Sequence, residues 1–319
     1  MDTLAQPTTA KDELISKLVN KSLSLSYSSL KNFTTPRDFI EYKLKPYKPN
    51  PSMIFGSVCD CLILTPEDFD KDFKIIPSIP STENQVGFAD ALIEIGKTTE
   101  LTEEIIELEF TNHYKRGRAL DVFAGLQAYI MGSVSGKTLI TQDIYDEAFK
   151  VSQDLLSKPD IDLIFQTITD VQKKVEFDYE GWTFKGFYDI LTPTHIIDLK
   201  FSRDSNPEKF ERDIANYDYF LQAALYVYAA KVLGILEDPR YSFIVYDKAG
   251  NYSIIELDYT YIVYGTKKFK YLVQELDRCI AEGAFDESYN FFQRTYKCYK
   301  PNWAKGFALD EEEYDDQAA

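Results

Sequence analysis

The stretch Gly186-Phe187-Tyr188-Asp189-Ile190, followed by Ile196-Ile197-Asp198-Leu199-Lys200, decides the fold of this chain. It predicts two successive apolar strands, the first carrying one aspartate and the second carrying an Asp-x-Lys pair. Side chains on a strand point alternately to opposite faces, so Asp198 and Lys200 share a face while Ile197 and Leu199 point into a core. Unpaired buried charges are costly, and such clusters are usually paired, metal-bound or catalytic. The stretch therefore indicates a candidate site as well as a strand pair.

Further strands and helices around this stretch predict the fold class. β-Branched and aromatic residues predict strands at 171–179, 182–191, 195–201, 241–246 and 252–257. Helices are predicted at 26–33, 37–44, 53–64, 141–157, 217–233 and 261–282. Ser26 and Thr141 are the candidate N-caps of the first and fourth of these helices. The pattern indicates an α/β fold with a mixed central sheet flanked by helices and a helical N-terminal part.

We expect three regions along the chain. Residues 1–22 are polar and weakly periodic, which predicts a flexible leader or a loosely attached helix. Residues 23–306 form one folded domain, in which 77–136 are a mostly helical insertion with helices at 103–110 and 119–131. Residues 307–319 form an acidic C-terminal tail.

Composition excludes some classes of protein. With 45% hydrophobic and 15% aromatic residues the chain is typical of a globular protein. We expect a cytoplasmic protein without a membrane segment, since the sequence has no long apolar run and no signal peptide pattern. The four cysteines, Cys59, Cys61, Cys279 and Cys298, are scattered, so we expect neither structural disulfides nor an iron–sulfur cluster.

The net charge of −17 argues at first against a nucleic-acid partner. Affinity for DNA comes largely from Lys and Arg side chains that neutralise phosphates. Six acidic side chains lie in the tail: Asp310, Glu311, Glu312, Glu313, Asp315 and Asp316. The remainder of the chain is still acidic. Binding depends on local potential, so basic residues gathered in a cleft could hold DNA while acidic outer faces suppress nonspecific contacts.

Asp189 and Asp198 are candidate ligands of a magnesium ion, which prefers hard oxygen ligands. Glu176 on the preceding strand is a possible outer ligand. Lys200 could orient a metal-bound water or neutralise charge that develops in the transition state. An isolated Asp-x-Lys pattern is very common, however, and more often forms a solvated or salt-bridged strand edge.

Gln222 and Tyr226 lie four residues apart on the helix that follows, and therefore on one of its faces. Both side chains could bind a phosphate or support the site. The alternative for Tyr226 is a ring that fills the core and a hydroxyl with a polar partner at its edge. A second motif, Gly132 to Thr138, has three residues between its glycines where a phosphate-binding loop needs four, so no nucleotide site is expected there.

Taken together, these motifs resemble the PDDEXK nuclease superfamily, and most closely the RecE-type (exonuclease VIII-like) phage exonucleases. Their order is Gly56-x-x-x-Asp60, Glu176, Gly186-Phe187-Tyr188-Asp189, Asp198-Leu199-Lys200 and Gln222-x-x-x-Tyr226. The likeness covers roughly residues 24–305, because segments 25–30, 53–56 and 216–219 also resemble the family.

The resemblance implies a role for each matching residue. Asp189 and Asp198 would bind Mg²⁺ or Mn²⁺, and Lys200 would be the catalytic lysine. Gln222, Tyr226 and Tyr217 would support the site or contact DNA phosphate, and Glu176 matches the acidic position on the preceding strand. Asp60 stands where many relatives have His, so a carboxylate would be the metal ligand there, with an altered metal preference.

The resemblance also implies an activity and partners. The expected reaction is stepwise hydrolysis of one strand of linear double-stranded DNA from its 5′ end, by a homo-oligomeric ring that acts with a single-strand annealing protein in phage recombination. A phage-encoded enzyme would work in the host cytoplasm. Two alternatives remain: a catalytically silent nuclease fold that binds DNA ends or a protein, and a related nuclease of different polarity, such as the Cas4-like group.

Overall fold

The computed structural model describes residues 9–46 and 48–288. The predicted acidic tail and Cys298 lie outside these residues. The strands are β1 (Phe73–Ile76), β2 (Thr138–Thr141), β3 (Asp170–Tyr179), β4 (Trp182–Leu191), β5 (His195–Phe201), β6 (Arg240–Tyr246) and β7 (Tyr252–Glu256). The last five form a sheet in the order β3-β4-β5-β6-β7, parallel only between β5 and β6. All five of these strands were predicted.

Helices surround this sheet. They are α1 (Ala10–Val19), α2 (Tyr27–Lys31), α3 (Pro36–Leu44), α4 (Pro51–Leu64), α5 (Phe69–Asp72), α6 (Glu83–Gly96), α7 (Glu103–His113), α8 (Ala119–Val134), α9 (Gln142–Leu156), α10 (Pro159–Phe165), α11 (Pro207–Asn216), α12 (Tyr219–Val232) and α13 (Tyr259–Glu282). As predicted, the Ser26 side chain caps α2 by accepting from the Ser29 amide. Thr141 precedes α9, but its side chain makes no capping hydrogen bond.

The sheet separates two apolar cores. On one face, Phe184 and Phe243 belong to the core that includes Phe269 of α13 and much of α12. On the other face, Leu199 belongs to a core with residues of α4 and α9, among them Val58. This α/β arrangement, with a mixed sheet, flanking helices and a helical N-terminal part, confirms the predicted fold class.

Part of the predicted flexible leader is ordered. A capping box between Thr9 and Asp12 starts α1, and this helix buries Leu14 and Leu18 in the core. Of the two alternatives predicted for this segment, residues 10–19 form the helix, although two buried leucines four residues apart leave only a weak pattern among polar neighbours.

The predicted insertion contains α6, α7 and α8, which share a small core around Phe88, Phe110 and Ile130. Leu139 and Ile140, which the sequence predicts as extended, lie in β2, and the sequence prediction missed its short parallel partner β1. The segment at 132–138 runs from the end of α8 into β2, helix to strand, whereas a phosphate-binding loop runs from strand to helix. Among the described helices, none has the length and apolarity needed to cross a membrane.

Candidate active site

The strand pair β4 and β5 separates at the site. Backbone pairing joins Ile190 to Ile197 and Leu191 to Ile196, and it does not continue to Asp189. The Leu199 amide, which a continuous ladder would pair with backbone, instead donates to Asp189 Oδ2 at 3.0 Å. Since a backbone N–H must find an acceptor, this carboxylate replaces the missing ladder bond. The split thereby opens a space between the strands and fixes a carboxylate in it.

Gln172 of β3 holds the other oxygen of this carboxylate. Its Nε2 donates to Asp189 Oδ1 at 3.1 Å. The Gln172 backbone has φ of 46°, in the left-handed region that non-glycine residues seldom adopt. The ladder pairs Val171 with Ile190 and Lys173 with Tyr188, and it skips the two residues between them. A strained residue in mid-strand is typical of functional sites, and here it aims an amide at the carboxylate.

The irregularity also decides which way β4 faces. Tyr188 packs in the core beside α12, whereas Ile190 packs in the opposite core. Residues two apart on a regular strand would point to the same face. The alternation therefore breaks at Asp189, which brings its side chain between the two cores.

Asp198 is almost fully enclosed, with 2% of its surface exposed. Its Oδ2 forms an ion pair with Lys200 Nζ. Gln222 Nε2 of α12 donates to Asp198 Oδ1 at 2.7 Å. As predicted, Asp198 and Lys200 lie on one face of β5 while Leu199 lies in the opposite core.

Lys200 remains a cation in this setting. Burial lowers the pKa of Lys200, but attraction to Asp198 and Asp189 outweighs this, so its pKa is raised. The Lys200 ammonium also lies 5.0 Å from the centre of the Tyr219 ring. A protonated lysine at this position can stabilise negative charge.

Asp60 enters the site from α4. Gly56, one turn earlier, faces β5, where a Cβ would make an ordinary van der Waals contact with Phe201 Cβ at 3.4 Å. Tyr246 Oη donates to Asp60 Oδ1 at 3.0 Å. Burial raises the pKa of Asp60 to about 7, with the nearby charge of Asp198 adding to the rise, against the Tyr246 hydrogen bond. The pKa of Asp189 is likewise raised well above its usual value by burial and by Asp198 and Asp60.

Tyr226 closes the site above β4. Its Oη accepts from the Phe187 amide at 3.4 Å, and its carbonyl accepts from Tyr188 Oη at 2.9 Å. Gly186 makes room for the ring, since a Cβ at that position would lie 2.6 Å from Tyr226 Cε1. Gly186 is thus a packing requirement of the Gly-Phe-Tyr-Asp motif.

One cleft of about 490 Å³ brings most of the predicted residues together. Its lining includes Asp60, Asp189, Asp198, Lys200, Gln222 and Tyr226. A second cleft, of about 560 Å³, meets the first at three shared residues, Asp60, Phe187 and Asp189. The carboxylates of Asp60 and Asp189 therefore lie where the two clefts join.

Two predicted site residues are not brought into the first cleft. Alternation along β3 buries Val175 and Phe177 and turns Glu176 outward, where it pairs with Lys174 at 3.4 Å. The Tyr217 side chain is 54% exposed and does not line the cleft, although its carbonyl accepts from Tyr27 Oη at 2.5 Å. Neither residue therefore lines the cleft beside the carboxylates, and the roles expected for Glu176 and Tyr217 stay predictions.

Gln172, Tyr246 and Tyr219 are the site residues that the sequence analysis missed. Tyr219 lines the cleft in the place expected for Tyr217. The backbone of Asp218, between them, is left-handed with φ of 56°, and α12 begins only after it. Tyr246 is the last residue of β6 and pairs with Phe201 in the parallel ladder. A predicted pairing of β5 with β6 would therefore have placed Tyr246 near the site. The left-handed backbone of Gln172 leaves no signal in sequence.

The residues present fit a magnesium or manganese ion. Within residues 9–46 and 48–288, no three acidic, histidine or cysteine side chains converge as a complete metal site. The Asp198 carboxylate is turned toward Lys200 and Gln222. Beside it, Gln222 Oε1 is a buried oxygen that has no hydrogen-bond partner among the described residues. Magnesium typically takes one or two protein carboxylates and fills its other positions with water and phosphate. Asp189, with Asp60 or Asp198, supplies that donor set.

The α/β fold with acids and a lysine at split central strands defines a PDDEXK-like domain. The chain belongs to the family described as a PDDEXK-like domain of unknown function (DUF3799), which matches residues 26–288. The fold is similar to the crystal structure of a protein from Eubacterium rectale described as "Putative exonuclease". That likeness has a TM-score of 0.50 and 12% identity over 93% of this chain and 97% of the other. No curated protein matches the sequence.

Proposed function

We propose that this protein is a metal-dependent nuclease that hydrolyses phosphodiester bonds in DNA. The observation that carries the proposal is the grouping of Asp189, Asp198 and a partly buried, charged Lys200 at the split between β4 and β5. Burial and then the charges of Asp198 and Asp60 raise the pKa of Asp189, and a divalent cation placed among these carboxylates would oppose that rise.

The residues divide the chemical work. A magnesium ion bound at Asp189 and its neighbours would polarise the phosphate and lower the pKa of an attacking water. Lys200 supplies positive charge beside the reacting phosphate, where negative charge accumulates during hydrolysis. Gln222 and Lys200 fix Asp198 from two sides. Gln172 and the Leu199 amide fix Asp189 in the same way.

The finer proposal is an exodeoxyribonuclease of the RecE type. It would degrade one strand of linear double-stranded DNA from the 5′ end, form a homo-oligomeric ring and act with a single-strand annealing protein in phage recombination. The support is the order of the sequence motifs and the presence of Asp60, Asp189, Asp198, Lys200 and Gln222 in one cleft. The name of the Eubacterium rectale protein agrees with exonuclease activity but concerns that protein alone.

A second candidate function is a nuclease fold that binds DNA ends without cutting. One observation favours it: the charge of Asp198 is already compensated by Lys200, and both of its oxygens are engaged. In that case Asp198 would not be available to a metal ion.

Digestion of linear duplex labelled at either the 5′ or the 3′ end distinguishes these functions. With Mg²⁺ we expect early release of labelled mononucleotide from the 5′ end, delayed release from the 3′ end, no cutting of closed circular duplex, and no reaction with EDTA. Early release from the 3′ end would contradict the polarity. Binding without release in Mg²⁺ and in Mn²⁺ would favour the silent module.

A further inference from the structure

Within the part of the chain that the structure describes, three lysines at one edge of the first cleft form no ion pair with a carboxylate, although Glu176 lies opposite Lys185 in the β3–β4 ladder and the charge of Asp218 acts on Lys31. Lys31 and Lys185 line the cleft, and Lys43 lies beside them with its Nζ donating to Ser29 Oγ at 2.6 Å. Many lysines of the described residues form ion pairs with carboxylates, and these three form none of them. Lys31 and Lys185 thus bring two positive charges to the lining of a cleft in a protein whose net charge is −17. We call Lys31, Lys43 and Lys185 the lysine cluster.

The positive charges of the cluster and of Lys200 act on one another. Burial and then the charge of Lys185 lower the pKa of Lys43 to about 8. Burial and then the charge of Lys200 lower the pKa of Lys31. Like charges held together raise the free energy of the protein, and an anion placed among them would reverse this.

The backbone fixes the cluster in place. Leu25 forms a parallel bridge with Phe184 of β4. Its amide donates to the Thr183 carbonyl at 2.9 Å, and its carbonyl accepts from the Lys185 amide at 2.9 Å. This bridge holds the segment that leads into α2, whose last residue is Lys31, against β4. Lys185 lies on β4, four residues before Asp189.

The second cleft is more acidic than the first. Beyond the shared carboxylates, its lining adds Asp68 and Asp72 and a single cation, Lys71. The first cleft adds Lys31 and Lys185 to the shared carboxylates, together with Asp198 and Lys200. The lining of the first cleft therefore has as many lysines as carboxylates, whereas carboxylates outnumber the lysine in the second, so a polyanion would meet less repulsion at the first.

We infer that the nucleic-acid strand occupies the first cleft and that the lysine cluster binds a backbone phosphate next to the one that is hydrolysed. This rests on the proposed function, since it takes nucleic acid as the substrate class. A lysine ammonium binds phosphate as a point charge and tolerates varied approach. The bound group is either an internal phosphodiester or a terminal phosphate of the same strand, which share this chemistry.

The test is equilibrium binding of fluorescent duplex DNA in EDTA, between about 50 and 200 mM salt, so that hydrolysis plays no part. The variant is Lys31→Gln with Lys185→Gln. It removes mutual repulsion, so it should unfold at or above the wild-type temperature. Losing one phosphate contact should make the slope of log K against log salt shallower by about 1 and weaken binding at every sequence.

The matched control is Lys11→Gln with Lys97→Gln, which makes the same change in net charge. Both lysines pair with surface carboxylates and line neither cleft. We expect the control to keep the wild-type slope. A cluster variant that retains the wild-type slope and affinity would overturn the inference, as would a wild type that does not bind DNA.

Duplexes with a 5′ phosphate or a 5′ hydroxyl identify the phosphate. A preference for one end that disappears in the cluster variant assigns the cluster to a terminal phosphate. Equal weakening on both ends assigns it to an internal phosphodiester. If hydrolysis occurs but the slope is unchanged, only the cluster fails. If the slope changes but no nucleotide is ever released, only the proposed nuclease activity fails.

Discussion

At the scale of single residues, the site holds acids where burial opposes their charge. Asp60 shows this most clearly, since its pKa is raised to about 7. A carboxyl group with a folded-state pKa above its unfolded value stabilises the protein most at low pH. That contribution is lost as pH rises from the unfolded pKa near 3.8 through the folded pKa near 7.

Asp60→Asn should therefore stabilise the metal-free protein in neutral and alkaline solution. Asparagine keeps an oxygen for the Tyr246 hydroxyl and carries no charge to bury. We expect a gain on the order of 1–3 kcal/mol at about pH 8 that shrinks toward zero near pH 4. Thermal unfolding of both proteins in EDTA across this range measures it. A constant difference between them at all pH values would contradict the assignment.

Gln172 should act through Asp189 as a positioning residue. Gln172→Ala removes the 3.1 Å hydrogen bond to Asp189 Oδ1, and residues that orient metal ligands typically change metal affinity or activity by about 10–100-fold. We expect a higher Mg²⁺ concentration for half-maximal nucleotide release.

Gln166→Ala is the control, because that side chain makes a similar bond to Asp162 on an exposed helix turn. The control should keep the wild-type Mg²⁺ dependence. Identical Mg²⁺ curves for the two variants would show that Gln172 does not position the carboxylate.

At the scale of elements, the packing of α12 on α13 determines where Gln222 lies. A Cβ at Gly265 of α13 would lie 2.2 Å from the Phe220 carbonyl oxygen and 2.8 Å from Ala224 Cβ. Both contacts are on α12, on either side of Gln222 in sequence. Relieving them requires α12 to shift, and with it the hydrogen bond from Gln222 to Asp198.

Gly265→Ala should destabilise the protein by about 1–3 kcal/mol, as overpacking does, and lower its activity. Gly125→Ala is an opposite control, because that helical glycine has open space and alanine should add about 0.5–1 kcal/mol of stability. Denaturant unfolding of both variants gives the comparison. A Gly265→Ala protein as stable as the Gly125→Ala protein would show that α12 tolerates the shift.

The regularity of each strand decided how much of the site could be predicted. β5 is regular, so alternation placed Asp198 and Lys200 on one face correctly. On β3 and β4 the alternation of side chains breaks at Gln172 and at Asp189, where the ladder skips both residues. This backbone irregularity has no signal in the sequence. On the regular part of β3, the alternation of side chains turns Glu176 away from the first cleft, whereas the order of the motifs had placed it at the site.

At the scale of the whole molecule, α1 belongs to the folded domain. Leu14 and Leu18 are buried in the core that α12 and α13 share with the sheet. Burying a leucine contributes about 1.5–3 kcal/mol relative to leaving it exposed. Removing residues 1–22 should therefore lower the free energy of unfolding by several kcal/mol. An unfolding midpoint equal to that of the full chain would contradict the role of α1.

The central claim is that Asp189 takes part in metal-dependent hydrolysis at the split between β4 and β5. Asp189→Asn tests it most directly, because the asparagine oxygen can accept from the Leu199 amide while its nitrogen donates to Oε1 of a rotated Gln172 side chain, so the fold should persist. The measurement is nucleotide release from linear duplex DNA in Mg²⁺ by wild type and variant, with thermal unfolding of both as the check on folding. We predict release at least about 100-fold slower in a folded variant. Equal rates of release would contradict the account.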